Sequence, residues 1–179
     1  VTHLNLNPSK TQKCFLQEEI ANMPDITTLQ LKEQNITIPK ANAPAANYVP
    51  YKRVGQLLYF SGQTAKLNGK VKFSGKADSP ASTKKAYDAA RLCGLNIISQ
   101  LNAALDGGLD KVKSCVRLNV YINSTTSYNE HAKAANGASD LMVEIFKERG
   151  KHTRTATGSN NLPSDSLVEI DAIFEVESA

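Results

Sequence analysis

Apolar residues recur along this chain with two different periods, and the switches between them divide it into elements. Residues 112–122 alternate, with Val112, Ser114, Val116, Leu118, Val120 and Ile122 on one side and Lys113, Cys115, Arg117, Asn119 and Tyr121 on the other. A period of two predicts a strand. Ala86, Ala90, Cys93, Ile97, Leu101 and Ala104 are instead spaced by three and four, which predicts one apolar helix face ending at Gly107-Gly108. Asp78, Ser79 and Pro80 supply the capping oxygen and first-turn proline for its start. A second helix is predicted from about His131 to Arg149, burying Ala135, Ala138, Met142 and Ile145 and stopping at Gly150.

Short strands complete the pattern. Tyr48–Arg53 and Leu57–Gly62 read as a hairpin about Val54-Gly55-Gln56, and Asn68-Gly69 marks a tight turn before the alternating Lys70–Phe73. Strands are predicted near Thr153–Ser159 and Leu167–Glu177. The order β-β-(β)-α-β-α-β-β gives an α+β fold, with two one-sided helices covering one face of a single mixed sheet. The other face carries Glu169, Asp171 and Glu175, made partly apolar by Leu167 and Ile173, as a subunit interface with a polar pocket would.

Residues 1–40 are polar and irregular, with prolines at 8, 24 and 39 and one or two helical turns at most around Cys14–Ala21. They read as an N-terminal extension to one domain over 41–179, which suits a length of 179 residues. A hydrophobic share of 41% against 21% charged residues is that of a folding chain. No apolar stretch approaches a bilayer span and no basic-then-apolar leader is visible, so neither a membrane protein nor a secreted one is expected. Three cysteines, Cys14, Cys93 and Cys115, lack Cys-x-x-Cys spacing, which argues against a disulfide framework or zinc site and for a reducing, cytoplasmic setting. The net charge of +4 comes from scattered lysines, with no basic–aromatic track for nucleic acid.

Glycine-rich phosphate loops, His-Glu-x-x-His and Gly-x-Ser-x-Gly are all absent, and His3, His131 and His152 form no evident metal triad. What remains is a dispersed set: Tyr48, Phe60-Ser61-Gly62-Gln63, Asn136-Gly137, Thr153-Arg154-Thr155, Leu162-Pro163 and Val168-Glu169-Ile170. In this set, over about residues 40–177, the chain resembles the Rid (YjgF-like) family of reactive-intermediate deaminases.

The resemblance implies a chorismate-mutase-like fold and a homotrimer with pockets between subunits. It implies hydrolysis of a reactive imine or enamine of a small carboxylic acid to a 2-oxo acid and ammonia, without cofactor or metal. Arg154 matches the arginine that grips the substrate carboxylate, and Glu169 the carboxylate that positions the attacking water. Tyr48, Ser61 and Asn136 match pocket-lining positions. A guanidinium fork suits a carboxylate bidentately, and imine hydrolysis needs mainly orientation, a placed water and proton transfer. Without the resemblance, Arg154 reads as a surface arginine on an edge strand, Glu169 as one more residue on a polar face and Ser61 as a strand-end hydroxyl bonded to backbone. The chain departs from the best-known members in having Ala156 where they carry a cysteine, Gly158 beyond it, an expanded hairpin around Asn68 and the segment 1–40. A non-catalytic trimer that binds a small carboxylate is therefore the alternative expectation; RNA cleavage, an activity attached to the family by name, has no His pair to support it.

Overall fold

The strand predicted at 112–122 lies inside the main sheet, one place from its edge. In the computed structural model, which describes residues 26–43 and 46–178, it spans Val112–Asn123 and is the fifth strand, β5. Before it come β1 (Tyr51–Val54), β2 (Leu57–Thr64), β3 (Lys66–Leu67) and β4 (Lys70–Val71); after it come β6 (Thr153–Ser159) and β7 (Val168–Val176). The main sheet runs β1-β2-β7-β5-β6, antiparallel except for the parallel β5–β6 pair. β3 and β4 form a separate two-stranded ribbon. The one mixed sheet thus has a small appendage, turned at Asn68 and Gly69, both at positive φ (52° and 78°). An Asn-Gly pair accepts those angles with least strain.

The helices are α1 (Ile26–Glu33), α2 (Thr83–Ala104) and α3 (His131–Phe146). The apolar faces predicted for α2 and α3 are buried, from Ala86 to Leu101 on one and from Ala134 to Phe146 on the other. Together they cover one side of the sheet, where Phe60, Phe174 and Phe146 meet edge to face. α3 crosses α2 at backbone distance: a Cβ on Gly137 would collide with the Tyr87 carbonyl oxygen.

Three expectations require correction. The segment expected to be irregular contains α1, whose sequence has β-branched residues and no apolar stripe. Its N-terminus is capped from far away, by Asp110 accepting from the amides of Ile26 (2.7 Å) and Thr27 (3.1 Å) and the Thr27 hydroxyl (2.6 Å). Tertiary contact supplies what local propensity does not. The turns expected around Cys14–Ala21 lie outside the described residues.

The alternation of β5 is also interrupted. Register shifts at Val112/Ser114 and Cys115/Arg117 turn Cys115 into the core opposite Phe174 and leave Val116 partly exposed. Each shift is a bulge that adds a residue to one strand only. Leu167, finally, is buried rather than part of the open face, its amide donating to the Phe73 carbonyl.

The sheet's second face is uncovered by any described element. It carries a polar ladder in which Arg117 donates to Thr155 Oγ1 (3.0 Å) and Asn119 Oδ1 (2.9 Å), and Asn119 donates to Asp171 Oδ1 (2.7 Å). Tyr59 and Tyr121 stand beside it, 42% and 36% exposed.

The α2–α3 crossing leaves no room for a methyl group. Gly137→Ala is therefore expected to destabilise the fold by about 1–3 kcal/mol, the cost of overpacking a tight contact, seen as a lower urea midpoint at unchanged slope.

Candidate functional site

Arg154 lies on the edge strand β6, level with Leu118 and on the helix-covered side. Its guanidinium is tied to one face of α3: Nη1 donates to Asn136 Oδ1 and Ser139 Oγ, both 2.9 Å, and Nη2 to the Ala132 carbonyl at 3.3 Å. Residues 132, 136 and 139 are spaced by four and three, so they share a face of the helix. The Nε–H and one Nη2–H have no protein acceptor among the described residues. Ser139 also meets His152 Nε2 (2.9 Å), whose Nδ1 lies 2.7 Å from the Gly150 carbonyl oxygen. Since a carbonyl can only accept, Nδ1 carries the proton, and Ser139 accepts from Arg154 while donating to Nε2. Burial, followed by the nearby Arg154 charge, lowers the His152 pKa against the Gly150 bond, which raises it. That keeps the ring neutral, as the chain of donors requires.

Glu169 occupies the open face of β7, between the inward-facing Val168 and Ile170. It is paired with Thr64 of β2 and Tyr121 of β5. The carboxylate lies over Gly62, where any Cβ would strike it, so a side chain at 62 would displace the acid. Glu169 accepts no hydrogen bond from the described residues. Burial, then the Asp171 charge, raise its pKa, and Lys66 pulls the other way. Gly62 also lines a cavity of about 230 Å³ with Tyr48, Pro50, Gln63, Lys66 and Gln100. Ser61 Oγ donates to the Val49 carbonyl at 2.7 Å, and the Ser61 amide donates to the Pro50 carbonyl at 3.0 Å. Its hydroxyl thereby fixes the stretch from Tyr48 to Pro50 at the rim of the cavity.

The expected site residues therefore fall into two groups. Arg154 and Asn136 are joined directly at the β6 edge, while Tyr48, Ser61 and Glu169 gather around Gly62 toward the β1–β2 edge. Arg154 and Glu169 are on opposite faces of the sheet with β5 between their strands, and no ligand can touch both within one chain. Ser139 was not anticipated, although its spacing of three from Asn136 was a usable signal. Lys66 was not anticipated either. Among the described residues, no group of three or more His, Cys, Asp or Glu side chains is placed to hold a metal ion, and no helix is long and apolar enough to cross a membrane.

Residues 29–176 match a family model described as "YjgF/chorismate mutase-like, putative endoribonuclease". The chain belongs to the YjgF/Rid family. Protein TCP17 of Trypanosoma cruzi is 42% identical over 149 residues, 83% of this chain and 92% of that one. The crystal structure of Atu1372 from Agrobacterium tumefaciens, described as of unknown function, is 39% identical with a TM-score of 0.78, covering 85% of this chain and 93% of the other. TdcF of E. coli with bound serine is more distant, at 25% identity and a TM-score of 0.51 over 78% and 93% of the chains.

The folded state holds a proton on Glu169 more readily than the unfolded chain does. Its stabilising contribution is thus complete at acid pH and is lost as pH rises through the raised pKa. Glu169→Gln keeps the neutral form, so the variant is expected to melt above wild type at pH 7 and to lose that advantage by about pH 4, the ordinary glutamate range.

Proposed function

We propose that the chain is a subunit of a homotrimer that hydrolyses a reactive imine or enamine of a small carboxylic acid. The observation that carries this reading is the state of Arg154. Three acceptors on α3 hold the guanidinium in place, and the two donors left over are the pair that a carboxylate takes bidentately. The serine in the TdcF structure is a ligand with a carboxylate of this kind.

In this reading the groups separated within one chain meet between chains, with the β6 edge of one protomer facing Glu169 and the adjoining Tyr48–Gly62 cavity of the next. Arg154 fixes the acid by its carboxylate and Asn136 holds Arg154. A water on Glu169 adds through its oxygen to the imine carbon, the water's proton passes by way of Glu169 to nitrogen, and the carbon–nitrogen bond then breaks. Imine plus water gives 2-oxo acid plus ammonia, with no net change in oxidation state. A half-buried carboxylate with a raised pKa is suited to passing that proton near neutral pH. A cytoplasmic setting accords with the buried free thiols Cys93 and Cys115, the latter pushed up to about 12 by burial and inert as a nucleophile.

The division of Arg154 and Glu169 between two faces also favours a second reading, a trimer that binds small carboxylates without turning them over. RNA cleavage has less to recommend it, since His131 and His152 are each engaged by a serine hydroxyl.

Short-lived imino acids generated in situ by an amino-acid oxidase distinguish these readings. Wild type is expected to accelerate ammonia release, and Arg154→Ala to lower kcat/KM by roughly 10–100-fold, the worth of a hydrogen bond to a charged group. Failure of wild type to accelerate release from any side chain, with retained binding of 2-oxo acids, would leave the binding protein.

A further inference from the structure

We propose that Lys66 receives a second acidic group of the ligand, so that the guest is dicarboxylic: the imine of an acidic amino acid, or its 2-oxo product. This rests on the reading above for the placement of the first carboxylate at Arg154, and it deepens that reading by naming the substrate class.

The cavity beside Glu169 is lined by polar groups, Gln63, Thr64 and Gln100 among them, and Lys66 is the one charged residue in the described lining. At about 230 Å³ it falls below the volumes of drug-sized pockets and suits a small metabolite. Lys66 is held there by its backbone. Asn96 of α2 reaches across with Nδ2 and donates to the carbonyls of both Thr64 (3.0 Å) and Lys66 (2.8 Å). Between them, the Ala65 amide donates to Ser166 Oγ (3.2 Å) and its carbonyl accepts from Lys72 (2.8 Å). The root of the side chain is therefore fixed at the cavity wall by four hydrogen bonds, one of which closes the β3–β4 ribbon. A site built on so constrained a backbone loses little on binding.

The ammonium is nevertheless without a counterion. It is near enough to Glu169 to oppose the rise in that carboxyl's pKa, yet it forms no ion pair with Glu169 or any other described residue. A half-buried cation with no partner, in a polar cavity, favours an anionic guest. Carbon 2 of the substrate must lie by Glu169, where water attacks, and its first carboxylate on Arg154. A group that extends along the cavity to Lys66 is then the far end of the substrate's own side chain. An apolar side chain would leave the ammonium dehydrated and unpaired, so the cavity discriminates against it.

The test uses the intact protein and two readouts. Calorimetric titration compares 2-oxoglutarate and oxaloacetate with 2-oxopentanoate and 2-oxobutyrate on wild type, Lys66→Gln and Lys66→Arg. The same proteins are assayed for ammonia release from the imines of glutamate and norvaline. Wild type is expected to bind the dicarboxylates at least about tenfold more tightly, the lower end for a charge-assisted hydrogen bond. Lys66→Gln is expected to abolish that preference, weakening dicarboxylates and not monocarboxylates, and Lys66→Arg to retain it. Equal or weaker binding of dicarboxylates by wild type overturns the proposal, as does a preference that survives Lys66→Gln. Binding of dicarboxylates through Lys66 with no ammonia released from these or any other imines supports the proposal and leaves the binding protein, so the two fail separately.

Discussion

The contact between Gly137 and the Tyr87 carbonyl sets the position of everything around Arg154. Because α3 can approach the backbone of α2 there, its neighbouring face comes to rest beside β6, with Ala132, Asn136 and Ser139 in line with the guanidinium. A helix held a few ångströms farther out would leave Arg154 a flexible surface side chain. With α3 in place, three acceptors absorb half the fork and the rest is oriented before any ligand arrives, which lowers the entropy lost on binding. A packing requirement between two helices thus becomes a property of a binding group on a strand.

The opposite half of the site is organised by a different small residue. Gly62 leaves a gap over which the Glu169 carboxylate lies, and the bulge between Phe60 and Gln63 bends β2 at that point. Bulges and strand glycines recur where a backbone must make way for another group. The acid is dehydrated enough to hold its proton at higher pH and open enough to reach a cavity. The two halves depend on the same sheet but use its opposite faces, so the fold by itself prepares complementary edges rather than a finished site.

Much of the architecture could be read from spacing. The periods of α2, α3, β5 and β7, the Asn68-Gly69 turn and the helix stop at Gly107-Gly108 all have local causes, and local causes are visible in sequence. α1 was not legible because its cap, Asp110, is remote in the chain, and its eight residues carry no stripe. That Arg154 and Asn136 belong to one site was anticipated only through family resemblance and their direct hydrogen bond was not anticipated, whereas Ser139 could have been found from helix geometry. Lys66 was hidden for a plainer reason: its nearness to Glu169 comes from β2 lying beside β7, and no pattern of one segment encodes the pairing of two.

The two bulges of β5 have a bearing on how this strand tolerates change. The first reverses which side chains point inward and the second restores the original sense, so that Val112 and Leu118 both face the core although Cys115 between them does too. Because each bulge holds one residue more than β7 requires, losing a single residue there would flatten the bulge and leave the pairs on either side, Val112 with Val176 and Leu118 with Ala172, as they are. A deletion beyond the bulges meets no such slack and would exchange the two sides of the strand around the Arg117–Asn119–Asp171 ladder. The stretch ahead of the ladder is accordingly where this strand can shorten by one residue without turning itself over.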